Sequence, residues 1–290
     1  MIPILVFLGG ACLFYAIFLM RQSAHEKKNF LRYFSLIKPV LASHRGHGKM
    51  GAVAENTIEA MLTSQKKGFL AHEFDVRMTR DGYIVLFHGP LLEKNSDGTG
   101  RLEEKTWSEV ERLNAGDYLV RGKSVSKGKK GKTQITHFTR LETVLKKLDK
   151  RALLNVELKR DTWDFSQGLE AKTVEVIREY RAEKRVFFSS FHPLCLVRMK
   201  HLAPEMPLGL LIEPGFFARF KIWFYTLILL IDNIHLHYST ATDALCKKLK
   251  KQGYGLAAWT VNTPSEIRRL VQAGVDVVIT DDINFRGKIP

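Results

Sequence analysis

The chain has 290 residues and carries 45 Lys+Arg against 30 Asp+Glu, a formal net charge of +15. Hydrophobic residues make up 45% and charged residues 26%, which excludes both a disordered chain and a polytopic membrane protein. Cys12, Cys195 and Cys246 lie too far apart for a CxxC zinc site or a disulfide framework, and the positive balance asks for phosphate, nucleic acid or an acidic membrane surface as partner.

The first element is the run from Pro3 to Met20, eighteen residues without a charge. A helix needs roughly 20 apolar residues to cross hydrocarbon. No basic residue precedes the run, whereas Arg21, Lys27, Lys28, Arg32 and Lys38 follow it. A cleaved signal peptide has the opposite layout. Residues 1–22 are therefore read as an uncleaved transmembrane anchor, 23–39 as a juxtamembrane linker and 40–290 as the main domain. Positive charge on the C-terminal flank predicts that this domain faces the cytoplasm.

From residue 40 onward short apolar runs alternate with amphipathic stretches. Predicted strands are Leu41–Gly46, Leu70–Val76, Tyr83–His88, Ala152–Leu158, Arg185–Ser190, Leu208–Ile212, Asn233–His237, Tyr254–Trp259 and Val275–Thr280. Predicted helices include Asn56–Lys67, Gly168–Glu179, Thr242–Gln252 and Ser265–Ala273. Such alternation implies βαβ units and a parallel sheet, and the length suits an α/β protein of the (β/α)₈ TIM-barrel class. A doubly wound open sheet has the same periodicity, although no GxGxxG follows the first strand to support a dinucleotide site. Nine strands are one too many for the barrel. Only Thr79-Arg80-Asp81-Gly82 precedes Tyr83–His88, too short for a parallel crossover, so this strand is predicted to fold back as a ribbon carrying His88.

Two segments stand outside the pattern. Arg121–Thr133 carries six basic residues among small ones, and reads as a solvated loop or a contact for anionic headgroups. Phe216–Ile231 is apolar apart from Arg219 and Lys221. It fits a buried barrel helix and a re-entrant or interfacial membrane helix equally well.

Polar residues gather where strands end. His44 and Arg45 close the first strand, Glu73 and Asp75 the second, and Glu157 and Lys159 a later one. The i, i+2 spacing puts Glu73 with Asp75, and Glu157 with Lys159, on common faces. In a barrel these strand ends ring one mouth. Three converging carboxylates repel one another unless a hard cation with oxygen ligands, Mg²⁺ or Ca²⁺, sits among them.

The ordered set HRG (44–46), ENT (55–57), EFDVRMTRDG (73–82), FHG (87–89), VELK (156–159), SSF (189–191), WTVN (259–262) and GVDVVITD (274–281) resembles glycerophosphodiester phosphodiesterases. The resemblance covers residues 41 to about 282 and implies a TIM barrel. It implies His44 and His88 as the acid/base pair and Glu73, Asp75 and Glu157 as ligands of one divalent cation. Arg45 and Lys159 would meet the phosphate, and Trp259 would wall the glycerol moiety. Glu55 would be a direct metal contact, a second-shell residue or a helix cap. His47 and His72 match no position of the family and read as exposed or core histidines. The family usually has Asp after its second histidine, where this chain has Gly89.

The expected activity is metal-dependent hydrolysis of glycerophosphodiesters to sn-glycerol 3-phosphate and an alcohol. Lysophospholipase D-type hydrolysis of membrane lysophospholipids on the same site is the alternative. A membrane-tethered binding protein without catalysis is the reading from another class, supported by Gly89 alone. Nucleic acid is not expected as a partner, because no helix-turn-helix, zinc-ligand or RNP pattern is present.

Overall fold

A computed structural model describes residues 39–46, 53–116, 135–161 and 168–289. The expected anchor (1–22), most of the linker, His47 and the Arg121–Thr133 segment lie outside the described residues. Nine strands are present among them: β1 Val40–His44, β2 Ala71–Met78, β3 Ile84–Leu86, β4 Leu153–Leu158, β5 Val186–Ser190, β6 Leu208–Ile212, β7 Asn233–His237, β8 Gly255–Trp259 and β9 Val277–Thr280. All except β3 pair in parallel, in the order β1-β9-β8-β7-β6-β5-β4-β2, and a β1–β2 pairing closes the ring. The closed eight-stranded barrel replaces the open-sheet alternative.

β3 is the surplus strand. It pairs antiparallel with β2 through Val76↔Leu86, Arg77↔Val85 and Met78↔Ile84. The turn between them is set by Thr79, whose hydroxyl donates to Asp81 at 2.7 Å, and by Gly82 at φ +88°. Only glycine takes that φ without steric cost.

The helices among the described residues are α1 Ile58–Lys66, α2 Trp107–Val110, α3 Leu141–Lys147, α4 Leu169–Glu179, α5 Pro193–Leu202, α6 Ala218–Ile228, α7 Asp243–Lys251 and α8 Pro264–Gln272. Three of them start at a threonine whose hydroxyl accepts from the first turn: Thr57 before α1, Thr242 before α7 and Thr263 before α8. Among the described residues no helix is long and apolar enough to cross a membrane. α6, inside the ambiguous Phe216–Ile231 run, is a barrel helix. It buries Ala218 and Ile222 but leaves most of its large side chains exposed, so the fully buried reading does not hold.

β1, β2, β4, β5, β8 and β9 contribute to two apolar layers. Even-numbered positions such as Phe74, Val76, Leu154, Val156, Leu210, Ile234, Leu236, Leu256 and Val278 face the helices in one large cluster. A smaller cluster of Ala42, Ala71, Leu153, Phe187, Ala257, Val277 and Ile279 fills the barrel interior. Interior size is matched locally. His235 of β7 is fully buried and lies edge-on to Phe187 at 6.0 Å between centroids, occupying the space a side chain at Gly209 would need.

Close packing of this kind is intolerant of one extra methyl group. Gly209→Ala should destabilise the fold by about 1–3 kcal/mol in urea unfolding. Combining it with His235→Ala should recover part of the loss, because the clash and its partner are removed together.

Candidate functional site

Register assembles the strand-borne part of the site. His44↔Glu73 and Asp75↔Glu157 are cross-strand partners, and β2 lies between β1 and β4. In a parallel sheet, paired residues share a face, so four functional side chains are delivered to the mouth by two ladders. The mouth opens into a cleft of about 1140 Å³ lined by His44, Arg45, Glu55, Glu73, His88, Glu157, Lys159 and Trp259, among others. Asp75 lies just beneath its floor, fully buried.

Glu73, Asp75 and Glu157 each place a carboxylate oxygen within 4.8 Å of the others. Two cations hold them together. Lys159 Nζ lies 3.0 Å from Asp75 Oδ1 and also contacts Glu157 Oε1, while Arg45 Nε lies 3.2 Å from Asp75 Oδ2. Three carboxylates against two cations leave one negative charge in excess. Burial, reinforced by Asp75 and Glu157, therefore drives the Glu73 carboxyl well above its ordinary range. Burial likewise pushes Glu157 up to about 7 against the pull of Lys159. Asp75 goes the other way: burial opposes its charge, but Lys159, Arg45, His88 and the hydrogen bond from Asn56 hold it well below the usual range. A divalent cation with oxygen ligands suits this donor set, since it would supply the charge that the two basic side chains do not.

Asn56 is the clamp on Asp75. Its Nδ2 donates to Asp75 Oδ2 at 2.8 Å and its Oδ1 accepts from the Asp75 amide at 3.1 Å. Both Asn56 (φ +57°) and Arg45 (φ +54°) sit in the left-handed region, which asparagine tolerates better than most residues. Glu55 accepts from Arg45 Nη1 and from Asn95 Nδ2, each at 3.0 Å, and lines the cleft outside the carboxylate triad. Helix capping belongs to Thr57 instead, so Glu55 positions Arg45 rather than capping α1.

His44 is held from behind. Its Nδ1 lies 2.7 Å from Asp281 Oδ1, and Asn262 in turn donates to Asp281 Oδ2 at 3.1 Å and accepts from the Asp281 amide at 2.9 Å. Burial works to raise the Asp281 carboxyl, but the His44 hydrogen bond and charge keep it below the usual range. An ionised Asp281 can only accept, so Nδ1 of His44 carries the proton and Nε2 is left on the side of Glu73, 3.8 Å from Oε2.

His88 follows β3 on the ribbon and closes the cleft from another side. Burial, aided by Arg45 and Lys159 and opposed by Asp75, pushes its imidazole down to about 3, so it is neutral at pH 7. Gly89 does not leave it unsupported. The His88 carbonyl accepts from Arg77 Nη2 at 3.1 Å, and Arg77 is itself buried against Glu103 and Asp161, both at 2.6 Å. Trp259 lies edge-on to Phe191 at 5.5 Å and donates through Nε1 to the His235 carbonyl at 3.3 Å.

All nine residues singled out from the sequence thus converge, with Asp75 below the floor and Glu55 outside the triad. His72 is a core histidine, bonded through Nδ1 to Ser43 Oγ at 2.8 Å. Sequence reasoning missed Asp281, Asn262 and Asn56, although each stands inside a quoted motif.

A model of the glycerophosphoryl diester phosphodiesterase family matches residues 44–285. The chain belongs to the glycerophosphoryl diester phosphodiesterase family. It is 32% identical to a glycerophosphodiester phosphodiesterase of Caldanaerobacter subterraneus subsp. tengcongensis over 85% of this chain and 95% of that protein. An Oleispira antarctica phosphodiesterase, solved with the product sn-glycerol 3-phosphate, shares 25% identity at a TM-score of 0.70, covering 86% of this chain and 95% of the other. The Thermotoga maritima glycerophosphodiester phosphodiesterase has the same fold at a TM-score of 0.64 and 21% identity, over 85% of this chain and 96% of its own.

Within this family site, removing a cation from the triad should be more damaging without metal. Lys159→Met is expected to cost about 3 kcal/mol of stability in EDTA, because it leaves buried carboxylates uncompensated. Added Mg²⁺ or Ca²⁺ should then raise its melting temperature more than that of the unaltered protein.

Proposed function

We propose that this chain hydrolyses glycerophosphodiesters to sn-glycerol 3-phosphate and an alcohol, using one divalent cation, Mg²⁺ or Ca²⁺, and a pair of histidines. Membership of the family makes it an enzyme of the phosphoric diester hydrolase class. The observation that carries the mechanism is the buried triad of Glu73, Asp75 and Glu157 beside two histidines of different environment. When bound by these three carboxylates, the cation would supply Lewis-acid charge to the phosphoryl oxygens.

The side chains divide the remaining work. His88, neutral by burial, takes the proton from the oxygen that attacks phosphorus as the new P–O bond forms. His44, its Nδ1–H held by Asp281, acts as the doubly protonated imidazolium: it delivers its Nε2 proton to the alcohol oxygen as the old P–O bond breaks and returns to the Nδ1–H form. Arg45 and Lys159 meet the negative charge that gathers on the equatorial oxygens. Trp259 and Phe191 form an apolar wall for the glycerol carbons.

The uncharged Pro3–Met20 run and the basic residues after it support an anchored form. In that form residues 1–22 span the bilayer once, 23–39 link, and 40–290 form the catalytic domain on the cytoplasmic side. A second reading, hydrolysis of lysophospholipids by the same site, is favoured by the exposed aromatic side chains of α6.

Hydrolysis of glycerophosphocholine with release of sn-glycerol 3-phosphate tests the main reading. EDTA should abolish turnover and Mg²⁺ or Ca²⁺ should restore it, whereas Glu73→Ala should be inactive with either ion. His44→Ala and His88→Ala should each lower kcat/KM by about 10²–10⁴ with the fold intact by circular dichroism. Full activity of the stripped protein would sink the metal assignment. Calorimetry showing no divalent-metal uptake, together with no turnover, would leave a binding protein instead.

A further inference from the structure

The other long helices of the barrel bury an apolar stripe and offer charge to solvent, as α7 does with Lys247, Lys248 and Lys251. α6 does not. Its inner contacts are made by Ala218 and Ile222, while Phe216, Phe217, Phe220, Trp223, Phe224 and Ile228 are exposed, from 41% at Phe224 to 95% at Phe216. Spacings of three and four residues put the helical members on one face. They form two aromatic groups in succession along the chain: Phe220 packs on Trp223 at 5.7 Å and on Phe224 at 6.1 Å, and Phe216 on Phe217 at 5.2 Å. Contiguous apolar exposure of this extent marks an interaction surface.

Chemistry and position select the occupant. Between Glu213 and Asp232 the chain has no acidic residue, and Arg219 and Lys221 stand within the aromatic run. Lys221 is 3.6 Å from Glu213, but a second copy of this face would still bring Arg219 towards its own kind with no acidic residue in the run to offset it. Lipid complements both features: aromatic side chains favour the headgroup level of a bilayer, and basic residues favour its phosphates. The patch also begins next to the cleft along the chain. Glu213 and Pro214, immediately after β6, line the cleft, and Phe216 lies two residues further on. We propose that the outer face of α6 docks on a lipid surface, with Phe216 and Phe217 at its mouth end, so that lysophospholipid substrate reaches the cleft along that rim from the bilayer interface. The helix lies on the membrane and does not cross it. The docking stands on α6 alone, while the delivery of substrate rests on the phosphodiesterase reading above.

The test uses the full chain reconstituted in vesicles of phosphatidylcholine and phosphatidylserine with brominated acyl chains. Trp223→Phe keeps the face apolar while removing its reporter. The unaltered protein should lose more tryptophan emission to bromolipid than Trp223→Phe does. Equal fractional quenching overturns the proposal, whether a second copy or the chain's own N-terminal residues cover the face instead. In the same vesicles, Phe220→Ser/Phe224→Ser should lower kcat/KM on lysophosphatidylcholine about tenfold, from lost apolar contact with lipid, and leave kcat/KM on soluble glycerophosphocholine unchanged. A parallel fall on both substrates also overturns it. If the unaltered protein turns over neither substrate, the catalytic reading fails, and the quenching result still decides the docking.

Discussion

Three carboxylates buried within 4.8 Å of one another are the constraint around which this molecule is arranged. Such a group has to be offset by cations or give up ionisation. Arg45 and Lys159 supply two charges from neighbouring strand ends, Glu55 steadies Arg45, and Asn56 steadies Asp75. The remaining imbalance falls on Glu73 and Glu157, whose carboxyls rise. It also leaves a deficit of positive charge that a hard dication would offset. Arg45, Glu55 and Asn56, at the two ends of the connection after β1, hold these compensations in place.

The fold was legible because barrel strands are buried on both faces and read as short apolar runs. The predicted spans of β6 and β7 match the structure residue for residue, and most other strand boundaries move by one or two. The ribbon was legible from the Thr79–Gly82 turn. The candidate site was legible where chemistry sits at fixed i, i+2 spacing, as in Glu73/Asp75 and Glu157/Lys159. What escaped were contacts that exist only once the ring is closed. Asp281 lies 237 residues from His44, and nothing local marks it as that histidine's partner. Asn262 and Asn56 act through other side chains, so their types alone carry no chemical signature. The fit of His235 against Gly209 and the bareness of the outer face of α6 are facts of three-dimensional packing.

The two histidines come from different kinds of element. His44 belongs to a barrel strand and is braced by the last strand, whereas His88 stands on a ribbon appended to β2. Arg77 ties that ribbon to the outlet of β4 through Asp161, which explains how His88 keeps its place beside Gly89. The barrel thereby holds one histidine and the triad on rigid register, and an ion-paired extension brings the second.

The join between His44 and Asp281 also orders events in time. β1 is the first strand to leave the ribosome and β9 the last, yet they are neighbours and share the hydrogen bond that orients His44. No partial barrel contains that bond. A nascent chain that already carries the complete acidic triad still lacks an oriented His44 until β9 has been made and has docked against β1. The closing seam is thus the last contact of the site to form.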